Sequence, residues 1–290
     1  MINNSRSPDY LSTEPTNLYN PAGPSPPLAW HGGKKLQAPW IIEQMPDHRV
    51  YVEPYGGMAN VLLKKQPSEV EIYNDLDGRV VNLFRVIRNP SDLAKLQLKC
   101  ELTPYSRRQF TDFCSQPEPT DPIERAHWFL VLGRQARGGL GSSKLTPSAW
   151  ATSTRSRRKM PEPVSKYLSA IDGLEPLAAR FREVLIEEMP AIDLIKKYDK
   201  PDVLFYCDPP YPAATRSGGR TQAYAYELTD EDHRQLLAIL RACQGKVMIS
   251  SYPSEIYEQE LHDWRRVEKP VKAQMSNSGN ARTEVLWLNF

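Results

Sequence analysis

The sequence predicts an α/β fold, a doubly wound parallel sheet interrupted by an inserted, mainly helical segment. Two observations set the sheet: short apolar runs alternate with helical patterns before residue 89, and the alternation resumes after residue 170. The third is the stretch between them, which breaks the alternation and is unusually basic. At 290 residues the chain can bury a core of useful size. With 40% apolar and 25% charged residues it has the composition of a soluble globular protein, and a formal charge of +2 points to no particular partner.

Met1 to Pro27 carries six prolines among Ser, Asn and Thr and has no apolar signal segment. It buries too little to fold alone, so residues 1–27 are expected to form a disordered or extended arm. Folding signals start at Leu28. A helix is expected from Ala38 to about Met45, and a strand over Arg49–Val52 ends at Pro54-Tyr55-Gly56-Gly57. Met58 to Lys65 reads as helical, with Met58, Val61 and Leu62 on one face. Val70–Tyr73 is a second strand and Arg79–Arg88 a second helix, stopped at Asn89-Pro90. After the interruption come a strand at Val184–Glu187, a helix at Ile192–Tyr198 and a strand at Asp202–Cys207. Thr229 can cap a helix whose first turn holds Asp230, Glu231 and Asp232 and whose core face holds Leu236, Leu237 and Leu240. Lys246–Ser251 and Thr283–Asn289 are the last strands.

Some function classes are excluded early. No run of 18 apolar residues exists, so a membrane span is not expected. Cys100, Cys114, Cys207 and Cys243 lack C-x-x-C spacing and the five histidines are scattered, so reduced cytoplasmic thiols and no metal are expected.

The first chemical signal is the strand-to-helix turn at Gly56-Gly57, where a backbone without Cβ atoms can approach a ligand closely. The second strand ends at Asn74-Asp75, 18 residues after Gly57, close to the roughly 20 expected for an acid on ribose hydroxyls. Neither G-x-G-x-x-G nor a P-loop lysine is present, so the ligand has a ribose and no phosphate to cradle. S-adenosylmethionine fits that description better than NAD or ATP.

The second signal is Asp208-Pro209-Pro210-Tyr211, directly after the buried run Val203–Cys207. The prolines stiffen the chain and leave carbonyls free to accept. An Asp and a free carbonyl at a strand's carboxyl end make two acceptors, and Tyr211 offers a ring to stack on. That set suits an NH2 on an aromatic ring, such as adenine N6. Its lone pair is delocalised, and two acceptors can aim it at a methyl donor. A base in a duplex must be flipped out to reach such a site.

Between Glu124 and Glu162 there is no acid, whereas Arg125, Arg134, Arg137, Lys144, Arg155, Arg157, Arg158 and Lys159 occur with Trp128, Phe129, Trp150 and the loop Gly138-Gly139-Leu140-Gly141. Such a stretch is either a solvated basic face or a footprint for a phosphate backbone, and its place inside a catalytic domain favours the second.

These residues together resemble the Dam-type (D12 class) N6-adenine DNA methyltransferases from Leu28 to the C-terminus. Ala29-Trp30-His31-Gly32-Gly33-Lys34 is similar to that family's W-x-G-G-K element, Glu53–Gly57 to its first motif, Ile72–Asp75 to its second, and Asp208–Tyr211 to its catalytic motif. The resemblance implies a Rossmann-like S-adenosylmethionine-dependent methyltransferase sheet carrying an inserted target-recognition domain. Residues 28–89 and 171–290 would form the catalytic domain and 90–170 the DNA-reading insertion.

It implies Trp30, Lys34, Pro54, Tyr55, Gly56, Gly57, Asp75 and Asp208 for S-adenosylmethionine, and Asp208, Pro209 and Tyr211 for catalysis. Arg134 and Arg137 are then expected to contact double-stranded DNA, and Arg155, Arg157 and Arg158 its phosphates. The expected setting is a bacterial or phage-encoded enzyme acting on DNA in the cytoplasm. Ala29 stands where family members that read GATC carry a lysine. An N4-cytosine methyltransferase would typically have Ser at 208 and an amide methylase Asn; adenine in RNA is the other alternative.

Overall fold

The computed structural model describes residues 18–30, 32–137, 146–215, 226–272 and 281–290. In chain order the elements are α1 (Ala38–Glu43), β1 (Val50–Glu53), β2 (Val70–Asn74), α2 (Gly78–Arg88), α3 (Pro90–Leu102), α4 (Arg107–Ser115) and α5 (Pro122–Gln135). There follow β3 (Ser156–Arg157), β4 (Met160–Pro161), α6 (Glu162–Asp172), α7 (Leu174–Phe181), β5 (Val184–Glu187), α8 (Ala191–Tyr198) and β6 (Val203–Cys207). The last are α9 (Asp230–Ala242), β7 (Lys246–Ser251), α10 (Glu255–Glu260), β8 (Arg265–Lys272) and β9 (Ala281–Leu288).

Seven strands form one sheet in the order β5-β2-β1-β6-β7-β9-β8, parallel from β5 to β7 and antiparallel at β9 and β8. Both faces are covered, which explains the near-continuous apolar runs in the central strands. Tyr51, Tyr73, Leu204 and Tyr206 face a core shared with α2, α3, α5, α6 and α7, where Phe84 and Phe181 stack with centroids 4.1 Å apart. Val50, Val52, Ile72 and Phe205 face α8, α9 and α10.

Several boundaries follow from local chemistry. Asn89 ends α2 and caps α3, its side chain accepting from Ser91 N and Asp92 N, with Pro90 at the first helical position. Thr229 and Asp232 form a capping box at α9.

Three expectations change. Residues 58–65 bury Met58, Val61 and Leu62 but form consecutive turns rather than a helix, because Ala59 takes φ +53°. The edge strand β8 was not expected, since Arg265, Arg266, Glu268 and Lys269 give it no apolar run and Pro270 argues against a strand; an edge tolerates both. Residues 18–27 of the expected arm lie against the body: Tyr19 pairs with Lys65, Asn20 N donates to Lys64 O (2.6 Å) and Arg134 to Pro26 O (3.3 Å). Residues 1–17 lie outside the described residues.

The helices of residues 90–170 share the main core: Leu93, Leu96 and Cys100 of α3 and Phe129 and Leu130 of α5 join it. Among the described residues a small satellite cluster, around Phe110, Leu132 and Ala136, is their own.

A buried ion group ties the layers. Glu71 of β2, 2% exposed, meets Lys65 Nζ at 2.6 Å and Arg180 Nη2 of α7 at 2.5 Å. Removing the shared carboxylate strands both cations, so Glu71→Ala is expected to lower stability by about 3–5 kcal/mol in urea unfolding. A loss comparable to an exposed ion pair, below about 1 kcal/mol, would overturn this account.

Candidate active site

The carboxyl ends of β1, β2 and β6 open onto a cleft. Trp30, Lys34, Pro54, Tyr55, Gly56, Gly57, Asp75 and Asp208 all line it, so the residues expected at a cofactor converge there from four separate stretches of chain.

The turn after β1 is shaped by close packing. A Cβ on Gly56 would collide with the Tyr73 ring; Gly57, at φ +48°, lies against the Trp30 indole. Asn74 staples this turn: its Nδ2 donates to Pro54 O (2.8 Å) and Met189 O (3.0 Å), while Oδ1 accepts from Met189 N (3.0 Å). Asp75 accepts from Gly57 N (2.7 Å) on one oxygen and Asp77 N (2.8 Å) on the other. A carboxylate offers about four acceptor positions, so each oxygen keeps capacity for a ligand hydroxyl. Burial pushes its carboxyl up to about 6, against the lowering by those backbone donors.

Asp208 sits at the end of β6 with its contacts on one oxygen. Oδ1 receives Lys34 Nζ at 2.7 Å and Ser250 Oγ at 2.8 Å, which leaves Oδ2 to the cleft. Lys34, 5% exposed, also donates to Gly32 O (3.0 Å), lies 4.7 Å from the Tyr211 ring centre and 3.6 Å from Glu284 Oε1. Tyr211 is only 7% exposed; its hydroxyl donates to Glu284 and its ring meets Tyr252 edge-on at 4.8 Å. Pro210 rather than Pro209 or Tyr211 reaches the cleft wall.

Sequence reasoning missed three residues. Glu53 lines the cleft, accepts from Tyr51 OH (3.2 Å) and Leu62 N (3.3 Å), and has a second oxygen, Oε2, buried without a protein partner. Burial pushes its carboxyl up to about 8. Ser250 and Glu284 come from β7 and β9. The available signal was a carboxylate inside a buried strand, at Val-Glu in β1 and Thr-Glu-Val in β9.

The expected DNA contacts divide. Arg134 is turned inward: burial pulls its guanidinium down to about 10, and its Nη2 donates to Pro26 O (3.3 Å), so it is not placed on an outer surface. Arg125 pairs with Glu118. Arg137, Arg155, Arg157, Arg158 and Lys159 are exposed, the last four on and beside the β3–β4 hairpin, where Arg158 and Lys159 both take positive φ (54° and 59°). Such turns favour Asn and Gly, so two long cations there carry local strain. The loop 138–141 and Lys144, like His31, lie outside the described residues. Among the described residues the four cysteines are free, no group of His, Cys, Asp and Glu is arranged to hold a metal, and no helix is long and apolar enough to cross a membrane.

The model of the family described as D12 class N6 adenine-specific DNA methyltransferase matches residues 30–275. A protein of Escherichia phage P1 named DNA N-6-adenine-methyltransferase is 22% identical over 263 residues, covering 86% of this chain and 32% of its own length. The chain thus spans about a third of the length of the curated relative it matches.

Because the folded state holds the Glu53 proton more tightly than the unfolded chain, Glu53 contributes stability that is complete at low pH. That contribution is lost as pH rises from the ordinary carboxyl range through about 8. Wild type is expected to lose stability relative to Glu53→Gln between about pH 5 and about pH 8.5, read from unfolding midpoints. Parallel pH curves for the two proteins would refute the assignment.

Proposed function

The chain belongs to the D12 class of N6 adenine-specific DNA methyltransferases, and from that premise we propose that it transfers a methyl group from S-adenosylmethionine to N6 of a flipped-out adenine in double-stranded DNA. The observation that carries this reading is Asp208, held on one oxygen by Lys34 and Ser250 with the other turned to a cleft that also contains Asp75 and Gly56-Gly57.

The cleft suits the donor on three counts. Asp75 has acceptor capacity for ribose hydroxyls, Gly56 and Gly57 allow close backbone approach, and the unpartnered Glu53 oxygen is a polar group left for a ligand. A cationic ligand would favour the carboxylate form of Glu53 by displacing its proton. Trp30, Lys34, Pro54 and Tyr55 complete the walls. When bound, S-adenosylmethionine supplies the methyl group on a sulfonium leaving group, so no covalent enzyme nucleophile is needed. Asp208 and the Pro209 carbonyl accept the N6 hydrogens and orient the lone pair. Stacking on Tyr211 requires that its ring, 7% exposed, be uncovered as the base enters.

Residues 90–170 are the DNA-reading insertion in this reading, a helical layer sharing the catalytic core, with Arg137 beside the duplex and Arg155, Arg157 and Arg158 on phosphates. The strained hairpin turn presenting Arg158 and Lys159 supports it. The setting follows from the substrate, a bacterial or phage-encoded enzyme on cytoplasmic DNA.

The test is methyl transfer from labelled S-adenosylmethionine to unmethylated DNA, followed by nucleoside analysis. Label in N6-methyladenine is the expected result; label in N4-methylcytosine would move the substrate, and none in DNA would overturn the reading. Asp208→Ala is expected to cut transfer by on the order of 10³-fold with DNA binding retained. Replacing Arg155, Arg157 and Arg158 by Ala is expected to reduce the salt slope of DNA binding by about 0.9 for each phosphate no longer neutralised. An unchanged slope would remove the hairpin from the interface.

A further inference from the structure

Glu284 is a carboxylate on an otherwise apolar face. Its neighbours on that face of β9, Leu286 and Leu288, are fully buried, and Glu284 itself is 2% exposed. The pairing of Val285 with Ser251 sets Glu284 just beyond the end of β7, beside Tyr252. Its two polar neighbours both belong to the site: it accepts the Tyr211 hydroxyl, and Lys34 Nζ lies 3.6 Å from its Oε1 while resting 2.7 Å from Asp208. An apolar side chain of similar volume would serve stability as well or better, since a buried ionic group is often no more stable than well-packed hydrophobic residues. What a carboxylate adds here is geometry. It fixes where the Tyr211 ring lies, and it gives the Lys34 ammonium, already in contact with Asp208, a second carboxylate neighbour.

We propose that Glu284 is a positioning residue for methyl transfer, holding the Asp208–Tyr211 motif in its working arrangement through the Tyr211 hydroxyl and the Lys34 ammonium. The proposal rests on the methyltransferase reading above. Asp208 is placed by Lys34 and Ser250, and Tyr211 by Glu284; Glu284 and Lys34 link the two, so the acceptor and the stacking ring move as one unit. Errors of an ångström in such a unit are costly to rate and nearly silent in ground-state binding.

The experiment compares wild type, Glu284→Leu, Glu284→Gln, Tyr211→Phe and the Leu–Phe double variant. The measurements are kcat with unmethylated DNA, calorimetric affinity for the donor analogue sinefungin, and thermal midpoint. Glu284→Leu is expected to lower kcat by about 10²-fold with sinefungin affinity changed by less than about threefold. Glu284→Gln keeps an acceptor for the hydroxyl and is expected to recover most of the loss. In the double variant the two losses are expected to be far from additive, because both remove one hydrogen bond. Wild-type kcat in a folded Leu variant would overturn the proposal. So would a loss confined to thermal midpoint and analogue affinity, or additive losses in the cycle. Should the Leu variant fail to fold, Tyr211→Phe, which removes the same hydrogen bond from the other side, carries the test, and a wild-type kcat in that folded variant overturns the proposal equally. No transfer to DNA by wild type would overturn the parent reading together with this one, whereas unaffected variants beside an active wild type sink this one alone.

Discussion

β1 is paired in parallel on both sides, Val50 with Val70 of β2 and Val50 with Val203 of β6. From β1 the chain runs outward to β2 and β5, then returns across β1 to β6 and β7. That reversal forces the segments after β1 and β6 apart and opens a crevice at their carboxyl ends. Most of the proposed catalytic and cofactor groups are hung from it: Gly56 and Gly57 follow β1, Asp75 follows β2 and Asp208 follows β6, while Trp30 and Lys34 reach it from the segment before α1. The crossover between β2 and β5 must be long, and it is there that the basic helices and hairpin of residues 90–170 are accommodated.

The helices of that crossover are tied to the crevice rather than tethered beside it. Phe129 of α5 meets the Trp30 ring edge-on at 6.3 Å and lies 5.7 Å from the Arg79 guanidinium carbon, while Arg79 is paired with Asp77 in the cleft wall. Arg134 on the same helix reaches back to Pro26, so the segment leading into Trp30 is fastened to α5. The cleft wall and the helical layer of residues 90–170 therefore share one packed core, and a shift in either is felt by the other.

Burial also decides where charge can sit. Lys34 and Lys65 are both almost wholly buried, and each is tolerated because carboxylates meet it, Asp208 and Glu284 in the first case and Glu71 in the second. The two groups differ in consequence. Lys65 and Glu71 join β2 to α7 deep in the core with Arg180, whereas Lys34 stands at the crevice, where its carboxylate partner Asp208 lines the cleft.

Much of this was legible in the sequence because the signals are local. Apolar runs of strand length, the Asn89-Pro90 stop and the Thr229 cap depend on neighbours within a few residues, and the strands and helices they mark were read to within a residue or two. Gly56, Gly57, Asp75 and Asp208 were legible because chain order and spacing on an α/β sheet dictate which strand end each motif occupies, whereas Trp30 and Lys34 came from the family resemblance alone. What only the tertiary structure decided were contacts between distant segments. Lys34 reaches Asp208 across 174 positions and Tyr211 reaches Glu284 across 73. Arg134 belongs to the same basic run as Arg155, yet one points into the fold and the other out of it. A charge count along the chain cannot separate them, since which side chain loses its water depends on the helix face that the core claims.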